Sequence, residues 1–239
     1  MILLKTFKLA AVAFFGLGGL SSALAFQDPV ALYGPQAFYD VFRNGEPVGE
    51  HRMEYQWLPP LEGRQQKRLQ VSSALDLDIT FLGLTVYTYR YRSDALWEQD
   101  RGLTSISSQV RENSEETAAN SGFLEQDGTF VFEGGNGRGS SSGTIYPTNH
   151  WNVAVLNQSE VFNTLTGSIN AVEILKEDQE PLPVNGQDVL STRYRYTGEL
   201  RTEVWYDDRG RWVGLRFEGS DGSEIVYRCR LCAPTGQEQ

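Results

Sequence analysis

Gly139-Ser140-Ser141-Ser142-Gly143 has the Gly-x-Ser-x-Gly spacing of a hydrolase nucleophile. That chemistry needs a sharp strand-to-helix turn that presents the serine hydroxyl. Here the match lies inside a glycine and serine run, with no apolar helix after it. A mobile loop over Gly134–Gly143 is expected instead. His51 and His150 are the two histidines of the chain. Two imidazoles do not make a three-histidine zinc site, and carboxylates would have to complete one. His51 falls on the apolar phase of its segment and reads as a hydrogen-bonded core histidine. His150 lies off any strand pattern, between Asn149 and Trp151, with Thr148 and Asn152 nearby. Such a cluster either lines a pocket or caps a short helix. His150 and Trp151 are kept as candidates for ligand binding. No metal or other cofactor is expected.

Three further groups carry charge or sulfur. Asp76 and Asp78 are two apart on one face of an extended segment, about 7 Å from each other. Paired carboxylates can serve as acid and base, but an alternating solvated face is the simpler reading. Arg90-Tyr91-Arg92 and Arg193-Tyr194-Arg195 point arginines outward and tyrosine inward. Close in space they would form a basic stripe, whereas cross-strand pairing with carboxylates would neutralise them. Cys229 and Cys232 have the C-x-x-C spacing at the end of a strand-like run. Redox pairs of this kind start helices, where the thiol pKa falls. A small structural disulfide is expected here, and it requires the chain to turn at Arg230-Leu231.

What must position these residues is a series of strands. Leu69, Val71, Ser73, Leu75, Leu77, Ile79 and Phe81 alternate with Arg68, Gln70, Ser72, Ala74, Asp76, Asp78 and Thr80. A strand places one set inside and the other in water, while a helix would scatter both. The same period runs through 48–57, 87–97, 190–196, 200–206, 213–217 and 225–231. Asn44-Gly45 closes a hairpin, because both residues accept positive φ. Glu177–Gln187, with Pro181, Pro183 and Gly186, reads as a loop. Residues 149–165 lack alternation and fit one short helical segment. The result is an all-β chain: a large curved antiparallel meander sheet, half-barrel or barrel-like. Tyr55, Trp57, Tyr87, Tyr89, Tyr91, Tyr194 and Tyr196 fall on its inner phases. A tyrosine-rich inner face often borders a polar ligand, because buried hydroxyls need partners.

Residues 1–25 read as a secretory leader. Lys5 and Lys8 precede an apolar run from Leu9 to Leu20, and Ala23-x-Ala25 is a cleavage signal. The run is short for a membrane span. A single β domain over 26–239, periplasmic or secreted, is therefore expected. The formal charge is −10. A surface so acidic repels phosphate backbones, so nucleic acid is a poor partner.

Several segments fall in a familiar order. They are Phe38-Tyr39-Asp40-Val41-Phe42-Arg43-Asn44-Gly45-Glu46-Pro47-Val48-Gly49-Glu50-His51, the region of Glu98, Thr148-Asn149-His150-Trp151, Trp205-Tyr206-Asp207 and Asp221-Gly222-Ser223. Together they resemble an uncharacterised secreted bacterial family, a DUF6134/DUF3108-like domain of unknown function. The resemblance implies a curved antiparallel sheet, similar to the half-barrels of periplasmic lipoprotein carriers, and no known activity. The leading functional expectation is a non-enzymatic binding protein that holds an apolar or amphiphilic small molecule in the concave face. The alternatives are an envelope protein that recruits a partner through a sheet edge, and a hydrolase using His150.

Overall fold

The structure is a computed structural model and describes residues 27–233. The expected leader lies outside the described residues. A five-residue helix, α1 (Pro29–Tyr33), opens the described chain, ahead of the first strand. Asp28 caps it by accepting from the Val30 and Ala31 amides, and Pro29 supplies the preset φ at its start.

Fourteen strands follow. They are β1 (Gln36–Arg43), β2 (Glu46–Leu58), β3 (Arg68–Phe81), β4 (Leu84–Glu98), β5 (Gly102–Glu112), β6 (Glu115–Leu124), β7 (Thr129–Gly134) and β8 (Gly137–Ser142). After a crossing segment come β9 (Glu160–Asn163), β10 (Ser168–Val184), β11 (Gln187–Gly198), β12 (Thr202–Asp207), β13 (Trp212–Glu218) and β14 (Glu224–Leu231). All belong to one sheet, in the order 8-7-6-5-4-3-2-1-14-13-12-11-10-9. Every ladder is antiparallel. The first and last strands pair with each other, so the free edges lie in the middle of the chain, at β8 and β9.

Two expected loops are strands. Gly134–Gly143 forms the second half of the β7–β8 hairpin. Phe132 stands opposite Gly122 on one side and Gly139 on the other. A Cβ at Gly139 would lie 2.6 Å from the Phe132 ring, and one at Gly122 would lie 2.5 Å from the Phe130 ring. The glycines leave room for phenylalanine rings, which is a packing role and not a mobile one. The nucleophile reading of Ser141 fails for the same reason, since Ser141 sits in extended strand with no helix after it. Glu177–Gln187 is likewise the far half of the β10–β11 hairpin, turning at Asn185-Gly186 with φ of 51° and 79°. β9 pairs only with residues 168–171 of β10. Pro181 and Pro183 therefore lie where β10 is an edge, and a missing N–H breaks no ladder there.

The sheet curls but does not close through backbone pairing. Side chains bridge the gap instead. Asn120 Nδ2 donates to the carbonyls of Thr164 (3.1 Å) and Leu165 (3.2 Å), and Ser108 Oγ donates to that of Thr164 (2.5 Å). The β9 edge is also covered. Residues 146–148 lie parallel to it, with Phe162 N donating to Tyr146 O and Thr148 N to Phe162 O.

The segment between β8 and β9 crosses the interior. Asn149, His150, Trp151 and Asn152 are all buried, and a 3-10 turn at Val153–Asn157 follows, capped by Asn152. This is the helical segment expected within 149–165. Trp151 packs edge-on to Trp97 at 5.3 Å and against Tyr55 at 6.0 Å. The buried backbone of this segment needs donors, and tyrosines supply them. Tyr33 OH donates to Trp151 O (2.9 Å) and Tyr206 OH donates to His150 O (2.7 Å).

Gly49 marks a tight approach. A Cβ there would lie 1.9 Å from the Asp76 carbonyl oxygen of β3. Backbone cannot step aside as a side chain does. Gly49→Val is expected to lower the unfolding free energy by about 2–3 kcal/mol, read as a lower urea midpoint at unchanged slope.

Candidate functional site

A cavity of about 710 Å³ opens at one end of the curled sheet. Its mouth is built from strand ends and turns: Arg43, Ile79, Tyr87, Glu112, Arg201 and Asp221. Its walls include Leu75, Leu77, Tyr89, Tyr91, Leu215 and Ile225. They line it because they occupy the inner phases of β3, β4, β13 and β14. Burial deepens along β3, from half-buried Ile79 and Leu77 to buried Leu75 and Ser73.

The floor is polar and uncharged. His51 and His150 both pack on Trp212, with ring centroids at 5.6 and 5.8 Å. His51 Nε2 shares a 2.7 Å hydrogen bond with Ser73 Oγ. Burial pushes both imidazoles down, each to about 3. Each therefore stays neutral at physiological pH. His51 Nδ1, His150 Nδ1 and Asn149 Nδ2 are buried without a protein partner. His150 also holds a φ of 59°, which is sparsely populated for a non-glycine residue and costs energy to keep.

Charge stays at the mouth. Arg43 and Asp221 pair at 2.6 Å, and hydrogen bonds from Ser223 and then Arg43 hold the Asp221 carboxyl well below its usual range. Burial and the neighbouring Glu112 carboxylate push the Tyr87 hydroxyl up to about 12.

An apolar strip leaves this mouth. The inner-face pairs of β3 and β4 run Leu77–Tyr89, Ile79–Tyr87 and Phe81–Leu84. The first two pairs line the cavity and the third stands in water. Phe81 is 66% exposed, Leu82 87%, Leu84 71% and Val86 57%. No charged residue lies between Asp78 and Arg90. Leu82 adopts a φ of 50° at the tip.

The candidates chosen from sequence divide. His150, Tyr87, Tyr89 and Tyr91 come together on the cavity. Trp151, Tyr55 and Trp57 do not line it. Tyr55 stacks on Tyr33 in the core at 5.3 Å, and Trp57 Nε1 donates to the cap residue Asp28. Tyr196 backs His150 at 5.6 Å, and Tyr194 packs on Tyr206. Both belong to β11, away from the cavity wall. His51 is a core histidine that is also floor. Its strand phase indicated the first role, and only the position of the crossing segment gave it the second.

The charged groups behave as cross-strand pairs. Arg90 binds Asp78 (2.5 Å) and Arg92 binds Asp76 (2.7 Å), while Arg193 and Arg195 both bind Glu177. There is no shared basic stripe. Cys229, within β14, and Cys232, just past its end, form a disulfide with Cα atoms 6.0 Å apart. Arg230 and Leu231 stay in the strand, with a bulge at Arg230 where a turn was expected. Asn185 accepts from the Cys232 amide and Arg211 donates to the Cys232 carbonyl. Asp207 ends β12 at the turn into β13. Its side chain is fully buried and ion-paired with Arg211 at 2.6 Å. A smaller depression of about 530 Å³ over β11–β13 is lined by charges such as the Glu203–Arg216 pair. Among the described residues, no three His, Cys, Asp or Glu side chains gather as metal ligands would, and no helix is long and apolar enough to cross a membrane.

Fold and cavity define an open-mouthed, β-barrel-like antiparallel protein with an internal apolar chamber. Residues 39–230 match the model of a domain of unknown function, DUF6134, and the chain belongs to that family. It is also similar in fold to the crystal structure of a beta-barrel-like protein of domain of unknown function DUF1849 from Brucella abortus. That match has a TM-score of 0.50 and 11% identity, and covers 81% of this chain and 94% of the other. No curated protein matches.

Proposed function

We propose that this protein is a non-enzymatic carrier that holds an apolar or amphiphilic molecule in the cavity, outside the cytoplasm. The cavity carries the proposal: its volume is that of a small-molecule site, and apolar walls surround a few convergent polar groups. The leader-like residues 1–25 support the location. The strip from Ile79 to the exposed tip supports a cargo taken from a lipid phase, since it extends the apolar wall into water. Catalysis by His150 has less support. A base with a pKa near 3 is weak at neutral pH, and no carboxylate hydrogen-bonds to its ring. Recruitment through a sheet edge also has less support. β9 is covered, and β8 is a short Gly/Ser strand, a poor template for pairing.

Solvent extraction of the purified full chain should release a lipid-like molecule. The stripped protein should show saturable quenching of tryptophan fluorescence by an alkyl amphiphile, because Trp212 lines the cavity. Leu215→Trp, which fills the chamber, should weaken binding about tenfold or more by steric exclusion. An empty extract together with no saturable quenching would sink the proposal.

A further inference from the structure

We infer that the cavity takes a molecule with an uncharged hydroxyl or carbonyl head on an apolar tail, inserted head first against His51, His150 and Asn149. This rests on the carrier reading above and narrows it to one chemical class. Three observations carry it. First, His51 Nδ1, His150 Nδ1 and Asn149 Nδ2 are buried without a protein partner, and all three residues line the chamber. Each residue is more than nine-tenths buried. Buried polar atoms are seldom left unsatisfied, because desolvation is then uncompensated. A neutral imidazole presents one donor and one acceptor nitrogen. Together with an amide N–H, it matches a hydroxyl, which does both, or a carbonyl, which accepts.

Second, the floor has no charge to offer. The charged lining residues are Arg43, Glu112, Arg201 and Asp221, all at the mouth, and Arg43 is already bound to Asp221. Burial keeps both histidines neutral. A carboxylate or ammonium pushed to the floor would be a buried charge without a counter-ion. Third, His150 is held in position at some energetic cost. Its backbone is left-handed and its carbonyl is tied by the Tyr206 hydroxyl. Strain of this kind persists where the surrounding structure imposes it, commonly at binding sites.

The rival arrangement is tail first, with an acidic head at Arg201. Four ligands with a sixteen-carbon chain separate the two at pH 7.5: hexadecanol, monopalmitoylglycerol, palmitate and hexadecyltrimethylammonium, each titrated into the stripped protein with tryptophan fluorescence as readout. The two neutral heads should bind at least about tenfold tighter than the two charged ones, the cost of an uncompensated buried charge. His51→Leu and Asn149→Leu should each weaken hexadecanol by about fivefold to tenfold, the worth of one neutral hydrogen bond. Equal binding of all four, a preference for palmitate, or no loss in either folded variant would overturn the inference while leaving the carrier reading intact. Binding of none would remove both.

Discussion

Asp207→Ala is expected to lower the unfolding free energy by about 3–5 kcal/mol, the cost of stranding a buried charge. The Asp207 carboxylate is fully buried and serves four donors. Oδ1 accepts from the amides of Arg209 (3.0 Å) and Arg211 (2.8 Å), and Oδ2 accepts from Arg211 Nε and Nη2, both at 2.6 Å. Through Arg211 Nη1 the network reaches the Cys232 carbonyl, and so ties the β12–β13 turn to the disulfide at the end of β14. Alanine would leave the guanidinium, 11% exposed in its side chain, without a counter-charge. Asp207→Asn keeps an acceptor for the two amides and should restore part of the loss. The double variant Asp207→Ala, Arg211→Met removes both charges and should be less destabilised than Asp207→Ala alone. Urea denaturation at pH 7 would measure all three. Losses that simply add would show that the pair is not coupled.

The second large effect is acid lability in a defined window. His51 and His150 titrate near 3 in the folded chain because burial disfavours the imidazolium. In the unfolded chain they titrate near their ordinary value of about 6.5. Below that value the unfolded state binds protons that the folded state refuses. Stability should therefore be full above roughly pH 6.5 and fall as pH drops toward 3. The slope approaches about 1.4 kcal/mol per pH unit for each histidine, or nearly 3 for both. Asp221, held low by Ser223 and Arg43, acts in the same direction. Its contribution is lost only as pH falls below its unfolded value, near 4. The interval from pH 6 to 4.5 thus reports the histidines. Urea midpoints across that interval should fall steeply in the native protein. The fall should be about half as steep in His51→Gln, and likewise in His150→Asn, where asparagine tolerates the left-handed backbone. An unchanged slope in both variants would place the titration elsewhere.

Much of the architecture is legible in the chain, because alternation is local. The direction of a strand side chain depends only on its parity, so the inner faces of β3 and β4, from Leu69 to Ile79 and from Tyr87 to Trp97, follow from the order of residues alone. Turn chemistry is local too, and Asn44-Gly45 closes the β1–β2 hairpin as its composition requires. Where the reading fails, a neighbour distant in sequence decides. Gly139 looks like a loop residue until the Phe132 ring is laid over it. Pro181 and Pro183 look like breakers until β9 ends and leaves β10 an edge there.

The site divides the same way. Parity placed Tyr87, Tyr89 and Tyr91 on the inner face with Tyr55, Trp57, Tyr194 and Tyr196, and could not say which inner residues meet packed core and which meet open space. That depends on where the aperiodic stretch around His150 crosses the interior. Trp151 fills the space beside Tyr55 and Trp97, and stops short of Leu75 and Tyr227. Pattern along a chain reports which way each side chain points. A chamber is the volume left over when a curled sheet encloses more than its side chains fill, and only the assembled molecule sets that difference.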